Sequence, residues 1–131
     1  MSHSIPVISL WGQLLVPLQG DISDQQMVDL STTVLLRIAN RQGGGGLIID
    51  ASGVWLVDSH LCAAVARLAN AARLMGVPTV VCGLSGDIVL TLQAMGLELG
   101  SVVTSLGLDE ALSELGISVR VNPRSADRSQ I

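Results

Sequence analysis

Leu47-Ile48-Ile49-Asp50-Ala51-Ser52-Gly53-Val54-Trp55-Leu56-Val57-Asp58-Ser59-His60-Leu61-Cys62-Ala63-Ala64 passes from an uninterrupted apolar run, through a short connection, into a helical pattern that opens on a hydroxyl. A short continuous run such as Leu47-Ile48-Ile49-Asp50 suits a strand buried on both faces, and it is read as the central strand. Residues 51–57 are read as a turn. Beyond it Leu61, Val65, Leu68, Ala72 and Met75 fall on one stripe of a helix that Gly76 ends. A buried strand followed at once by an amphipathic helix is the repeating unit of an α/β fold.

The same alternation extends in both directions. Residues 5–10 and 13–19 read as two short strands joined at Trp11-Gly12, a hairpin signal. Pro17 within the second has no N–H for a ladder, which marks an edge or an irregularity. Asp21-Ile22-Ser23-Asp24 precedes a helix over 23–40, where Met27, Leu30, Val34 and Ile38 recur every three or four residues up to the glycine run. Downstream, residues 78–83 form another buried strand and 85–95 a helix that turns Ile88, Leu92 and Met95 inward and stops at Gly96. A short strand over 101–104 and a helix over 108–115 complete the series. The predicted architecture is a mixed, mostly parallel sheet of four to five strands with about four helices. Residues 1–118 make one domain, and 119–131 form a flexible polar tail with too little periodic apolar content to fold alone.

Composition excludes several classes of function. Hydrophobic residues are 49% of the 131 and the mean hydropathy is +0.58, yet no apolar run approaches the ~18 residues of a membrane span. The surplus apolar surface suits partner subunits. Met1-Ser2-His3-Ser4-Ile5-Pro6 lacks the features of a secretory signal, so a cytoplasmic location is expected. A net charge of −4 with no lysine and seven arginines does not suit nucleic acid. Cys62 and Cys82 lack a Cys-x-x-Cys spacing and read as free, buried thiols. With two histidines no metal site is expected, and no cofactor is implied. The run Gly43-Gly44-Gly45-Gly46 is followed by neither Lys nor Ser or Thr and leads into a strand, so it is a connector and not a phosphate cradle.

Catalytic pairs are equally poor. Ser59 or Cys62 with His60, and the carboxylates Asp50 and Asp58, are the available groups, but Ser59 and His60 are adjacent and diverge by ~100° on a helix. The chain is therefore not read as an enzyme. Trp11 and Trp55 are its only aromatic residues, and Trp55, just before Ser59, suits contact with a partner.

Two readings of Ser59 stand on the residues alone. It is a helix N-cap, whose replacement by alanine costs about 1 kcal/mol, or it is a phosphate acceptor. Phosphorylation adds roughly −1.5 to −2 charges, which the N–H groups and dipole of a first helical turn tolerate.

Taken together, Leu47-Ile48-Ile49-Asp50, Val57-Asp58-Ser59 and Arg73-Leu74-Met75-Gly76 resemble STAS domains of anti-sigma-factor antagonists. Leu14-Leu15-Val16, Ser23-Asp24-Gln25, Val89-Leu90-Thr91-Leu92 and Met95-Gly96 extend the resemblance to nearly the whole chain as far as Leu115. Within that family the likeness is to the RsbS-type stressosome scaffolds. The resemblance implies a SpoIIAA-like fold and a non-enzymatic switch phosphorylated on Ser59 by an RsbT-type serine kinase and reset by a PP2C-like phosphatase. It further implies a large assembly with RsbR-type STAS paralogues that holds the kinase until phosphorylation releases it. Asp24, in a loop flanking the phosphorylation site, Trp55, Asp58 and His60 would form the partner-binding surface. His60 stands where the family more often has a bulky apolar or aromatic residue. Other members suggest two alternatives, a monomeric anti-anti-sigma factor that binds an anti-sigma kinase directly and a small-ligand-binding STAS domain.

Overall fold

The computed structural model describes residues 4–41, 45–97 and 103–116. The chain starts with strand β1 (Ile8–Leu10), which turns at Trp11 and Gly12 into β2 (Gln13–Gly20). Both turn residues have positive φ, +48° and +80°, the combination whose twist matches a two-residue hairpin. Pairing is antiparallel, Ile8 opposite Leu15 and Leu10 opposite Gln13. Pro17 makes an irregularity and not an edge: β2 lies inside the sheet, and its parallel register with the next strand shifts between Pro17 and Gln19.

Helix α1 (Asp24–Ala39) begins where Ser23 and Gln26 cap one another. Ser23 Oγ accepts the Gln26 N–H at 3.1 Å, and Gln26 Oε1 accepts the Ser23 N–H at 2.8 Å. These two bonds satisfy donors that the first turn leaves without helical partners. Met27, Leu30, Val34 and Ile38 are buried, as their spacing requires.

Strand β3 (Leu47–Val54) runs four residues past its expected end at Asp50, because Gly53 and Val54 still pair with Gln19 and Gly20 of β2. Only residues 55–58 remain as the loop before helix α2 (Ser59–Leu74). Strand β4 (Thr79–Cys82), helix α3 (Gly86–Ala94) capped by Ser85, strand β5 (Val103–Ser105) and helix α4 (Leu108–Glu114) follow. Met75 and Met95, expected to face inward, are exposed C-cap residues, because each stands where the helix has already ended. The expected strand positions 101–102, the glycines 43–44 and the polar tail over 119–131 lie outside the described residues.

The sheet order is β1-β2-β3-β4-β5, parallel from β2 onward, with β3 in the centre. Side chains alternate across it. Leu47 and Ile49, with Leu14, Val16 and Leu18 of β2 and Val81 of β4, pack under α1 and α2. Ile48, Leu15, Val80 and Cys82 pack with Ala111 and Leu112 of α4 on the other side. Helix α3 joins the first layer through Ile88 and Leu92, which meet Ala51, Cys62 and Ala66. The architecture is thus the mixed five-stranded sheet with four helices that the alternation predicts. No described helix is long and apolar enough to cross a membrane.

Ile49, with no exposed surface, lies at the centre of the larger layer. Ile49→Ala should therefore lower the unfolding free energy by about 2–5 kcal/mol, the range for truncating a buried aliphatic side chain to alanine. Urea denaturation followed by circular dichroism measures this directly.

Candidate functional site

The loop from Val54 to α2 lies at the carboxyl end of the parallel strands. Its start is pinned to β2 by the Trp55 N–H, which donates to Gly20 O at 3.0 Å. The Trp55 indole is nonetheless 84% exposed, and Leu56 beside it is exposed as well. A large apolar surface held on a fixed backbone is the form of a docking anchor.

Asp58, in extended backbone, is the N-cap of α2, and its Oδ1 accepts the Leu61 N–H at 2.7 Å. Ser59 is consequently the first helical residue and not the cap. It is exposed, and its Oγ bonds to no other described residue. The reason is local: a carboxylate one position earlier reaches the same N–H and adds favourable charge at the positive end of the helix dipole. Holding the helix and presenting the hydroxyl therefore fall to neighbouring residues.

His60, next on the helix and exposed, opens onto a groove of about 320 Å³ between α1 and α2. Asp24, Val28 and Thr32 of α1 face His60, Ala64 and Arg67 of α2 across it. The structure thus brings Asp24 and His60 to one groove. Asp24 is the first residue of α1, not a loop residue, because Ser23 closes the capping box one position earlier. Trp55, Asp58 and Ser59 lie on the adjoining loop and helix start. Arg67 is the residue that sequence reasoning missed. Its spacing from His60 and Ala64, at seven and three residues, already puts it on their helix face.

The remaining candidate nucleophiles are withdrawn from solvent. Cys62 is 1% exposed, and burial, then the charge of Asp58, pushes its thiol up from the ordinary range. Cys82 is pushed up to about 12 by burial first and then by Asp50. Asp50 is itself occupied, accepting the Ser52 N–H at 3.0 Å. Among the described residues no three His, Cys, Asp or Glu side chains are grouped to hold a metal ion. Behind α2, the cavity lined by Leu18, Leu61, Cys62 and Val65 has about 10 Å³, the space of a single water molecule.

No family model matches the sequence. Among curated proteins, the RsbT co-antagonist RsbRB of Bacillus subtilis (strain 168) is 31% identical over 111 residues, which are 84% of this chain and 40% of that protein. The chain spans about two fifths of the length of the two curated relatives it matches, both RsbT co-antagonists. Among solved structures, a serine-to-glutamate variant of RsbS from Moorella thermoacetica superposes with a TM-score of 0.75 at 28% identity, over 86% of this chain and 94% of that one. A chain from a structure of the stressosome, described as a signal integration and transduction hub, gives 0.71 at 26% identity, over 85% and 96%. An anti-sigma-factor antagonist (STAS) domain protein from Planctomyces limnophilus shares the fold at 15% identity with a TM-score of 0.66, covering 88% and 100%.

Fold and likeness together make this chain a member of the STAS-domain family of anti-sigma-factor antagonists. Within the family, its similarity in both sequence and structure is to RsbS and RsbR proteins.

The capping geometry moves the expected cost of losing the cap from Ser59 to Asp58. Asp58→Ala should destabilise the fold by about 1 kcal/mol through loss of the cap, whereas Ser59→Ala should stay within about 0.5 kcal/mol of wild type. Paired denaturant melts read both values. Alkaline pH tests the buried thiol. The unfolded Cys82 ionises near 8.5, while the folded one keeps its proton to about 12, so its stabilising contribution is complete below pH 8.5 and is lost as the pH climbs toward 12. With no Tyr or Lys in the chain few other groups titrate in that window, and Cys82→Val should flatten the decline in urea midpoints measured from about pH 9 to 11.

Proposed function

We propose that this domain is a non-enzymatic phospho-switch and scaffold of a bacterial stressosome, working in the cytoplasm. It holds an RsbT-type serine kinase and releases it when Ser59 is phosphorylated. The observation that carries this reading is an exposed Ser59 hydroxyl, bonded to no other described residue, on a helix whose cap is already supplied by Asp58. Likeness to RsbS, to a stressosome chain and to RsbT co-antagonists supports it. RsbR-type paralogues are the assembly partners on this reading, and a PP2C-like phosphatase resets the switch.

The physical consequence follows from the cap. A phosphate on Ser59 would find the Leu61 N–H already taken by the Asp58 carboxylate, so the dipole of α2 attracts it while its neighbour repels it. Each of these internal contributions is of the order of 0.3–1 kcal/mol at an exposed site, and they offset one another, leaving the fold intact. A docked partner experiences the charge differently. Burying a dianion against the apolar surface of Trp55 and Leu56, or against an acidic contact, costs several kcal/mol and weakens binding by orders of magnitude.

Incubation with the cognate kinase and ATP should place one phosphate on Ser59, read by tandem mass spectrometry, and Ser59→Ala should still assemble while accepting none. Ser59→Asp should keep the wild-type circular dichroism spectrum and lose the kinase in pull-down. Phosphate on another residue, or undiminished kinase binding by Ser59→Asp, would overturn the reading. Size-exclusion chromatography with an RsbR-type paralogue separates a large assembly from a monomeric antagonist.

A further inference from the structure

Helix α2 packs between α1 and α3, so Ser59 at its start is flanked by two grooves, and they differ in character. The groove toward α1 carries the polar side chains of Asp24, His60 and Arg67. A second groove, also of about 320 Å³, lies between the start of α3 and the carboxyl end of β5, where Leu84, Val89 and Leu106 meet Thr104, Ser105 and Glu110. Leu84 joins this groove to the switch. It sits beside Leu61 and Ile88 behind the first turn of α2 and also lines the groove that Leu106 lines.

Leu106 takes no part in the core. It is 84% exposed and belongs to none of the three apolar clusters. The loop that carries it is nonetheless tied down: the Leu106 N–H donates to Glu110 Oε2 at 3.4 Å, the Gly83 N–H to Ser105 O at 3.3 Å, and Ser105 Oγ to Gly107 O at 3.2 Å. A large apolar side chain held in water on a fixed backbone repeats the construction found at Trp55.

The size of a protein contact connects the two. Trp55 follows the last residue of β3 and Leu106 the last of β5, two strands away, and the strand spacing and register put their backbones roughly 15 Å apart. A stable interface of ordinary size covers about 800 Å² of each partner, a patch reaching roughly 15 Å from its centre. A kinase that covers Ser59 on that scale extends well past the loop over 55–58, and side-chain chemistry selects the direction. Interfaces gather apolar groups at the desolvated centre and leave charged ones at the wet margin. Trp55, Leu56, Leu84 and Leu106 supply the first kind of surface, and Asp24, His60 and Arg67 the second.

We propose that the kinase-binding surface is bipartite, with the groove between α3 and β5 as a second docking point at which an apolar side chain of the kinase packs on Leu84, Val89 and Leu106. Asp24, His60 and Arg67 form the opposite margin of the same contact. The identity of the partner rests on the switch reading. Affinity and phosphorylation are then held by different residues, because Leu106 grips the kinase without touching the hydroxyl that is modified.

The test measures binding of the RsbT-type kinase to the full chain by titration, alongside phosphorylation kinetics with ATP. Leu106→Ser should raise both Kd and the KM for the domain about tenfold or more, the loss expected of an interface anchor, with kcat within about twofold of wild type and an unchanged urea midpoint. Val89→Ser, on the facing wall, should weaken binding in the same sense, and Leu106→Met should restore it. Leu74→Ser, which alters an equally exposed leucine at the other end of α2, should change nothing. Unchanged Kd in Leu106→Ser and Val89→Ser would sink the proposal, as would a fall in kcat at constant KM or a loss of paralogue assembly in place of kinase binding. The two readings fail separately. Phosphate on another residue with Leu106-dependent affinity counts against the switch alone, phosphate on Ser59 with affinity indifferent to Leu106 counts against the second docking point alone, and a kinase that does not bind wild type overturns both.

Discussion

Burial of β3 on both faces is the constraint from which the other elements take their places. Ile48 and Ile49 point to opposite sides of the sheet and both are fully enclosed, so two separate layers of helix must cover this one strand. Helices α1 and α2 cover one side and α4 the other. A strand enclosed in this way cannot slip by one residue without exchanging its two faces. That fixed register sets where Val54 ends, where the loop over 55–58 begins, and therefore where α2 starts.

The functional surface inherits its definition from that endpoint. Trp55 is tied to Gly20 through the backbone, and Asp58 ties the first turn of α2, so the loop is short and held at both ends. Helix α1 is fixed independently by its own capping box, which brings Asp24 to the groove that His60 and Arg67 line from α2. The site is thus an exposed rim assembled from two helix starts and one strand end, with little enclosed space behind it. Its exposed apolar anchor, Trp55, beside a groove open to solvent suits a macromolecular contact.

The layers were legible in the residues because apolar spacing records burial directly. Leu47-Ile48-Ile49 announced a strand enclosed on both faces, and Met27, Leu30, Val34 and Ile38 announced the inward stripe of α1. Errors gathered where periodicity carries no signal. Continuation of β3 through Gly53 and Val54 depends on pairing with β2, a contact distant in sequence. Met75 and Met95 match the apolar period, yet the chain has left the helix by the time it reaches them. At the site, an acidic residue followed by serine leaves the identity of the cap open, since either side chain can accept the same N–H, and backbone geometry decides for Asp58. Asp24 lies within the helix that the spacing predicts over 23–40, and the loop position that the family resemblance implies for it gives way to the Ser23 cap. Arg67 carried a spacing signal that composition alone did not highlight.

The Asp58 cap also separates two selective pressures on adjacent positions. Position 58 is answerable to folding, whatever the domain does. Under the proposed switch, position 59 answers to signalling alone, so a duplicated copy released from regulation is free to drift there without losing its shape, while a regulated copy is held to a residue that a kinase accepts.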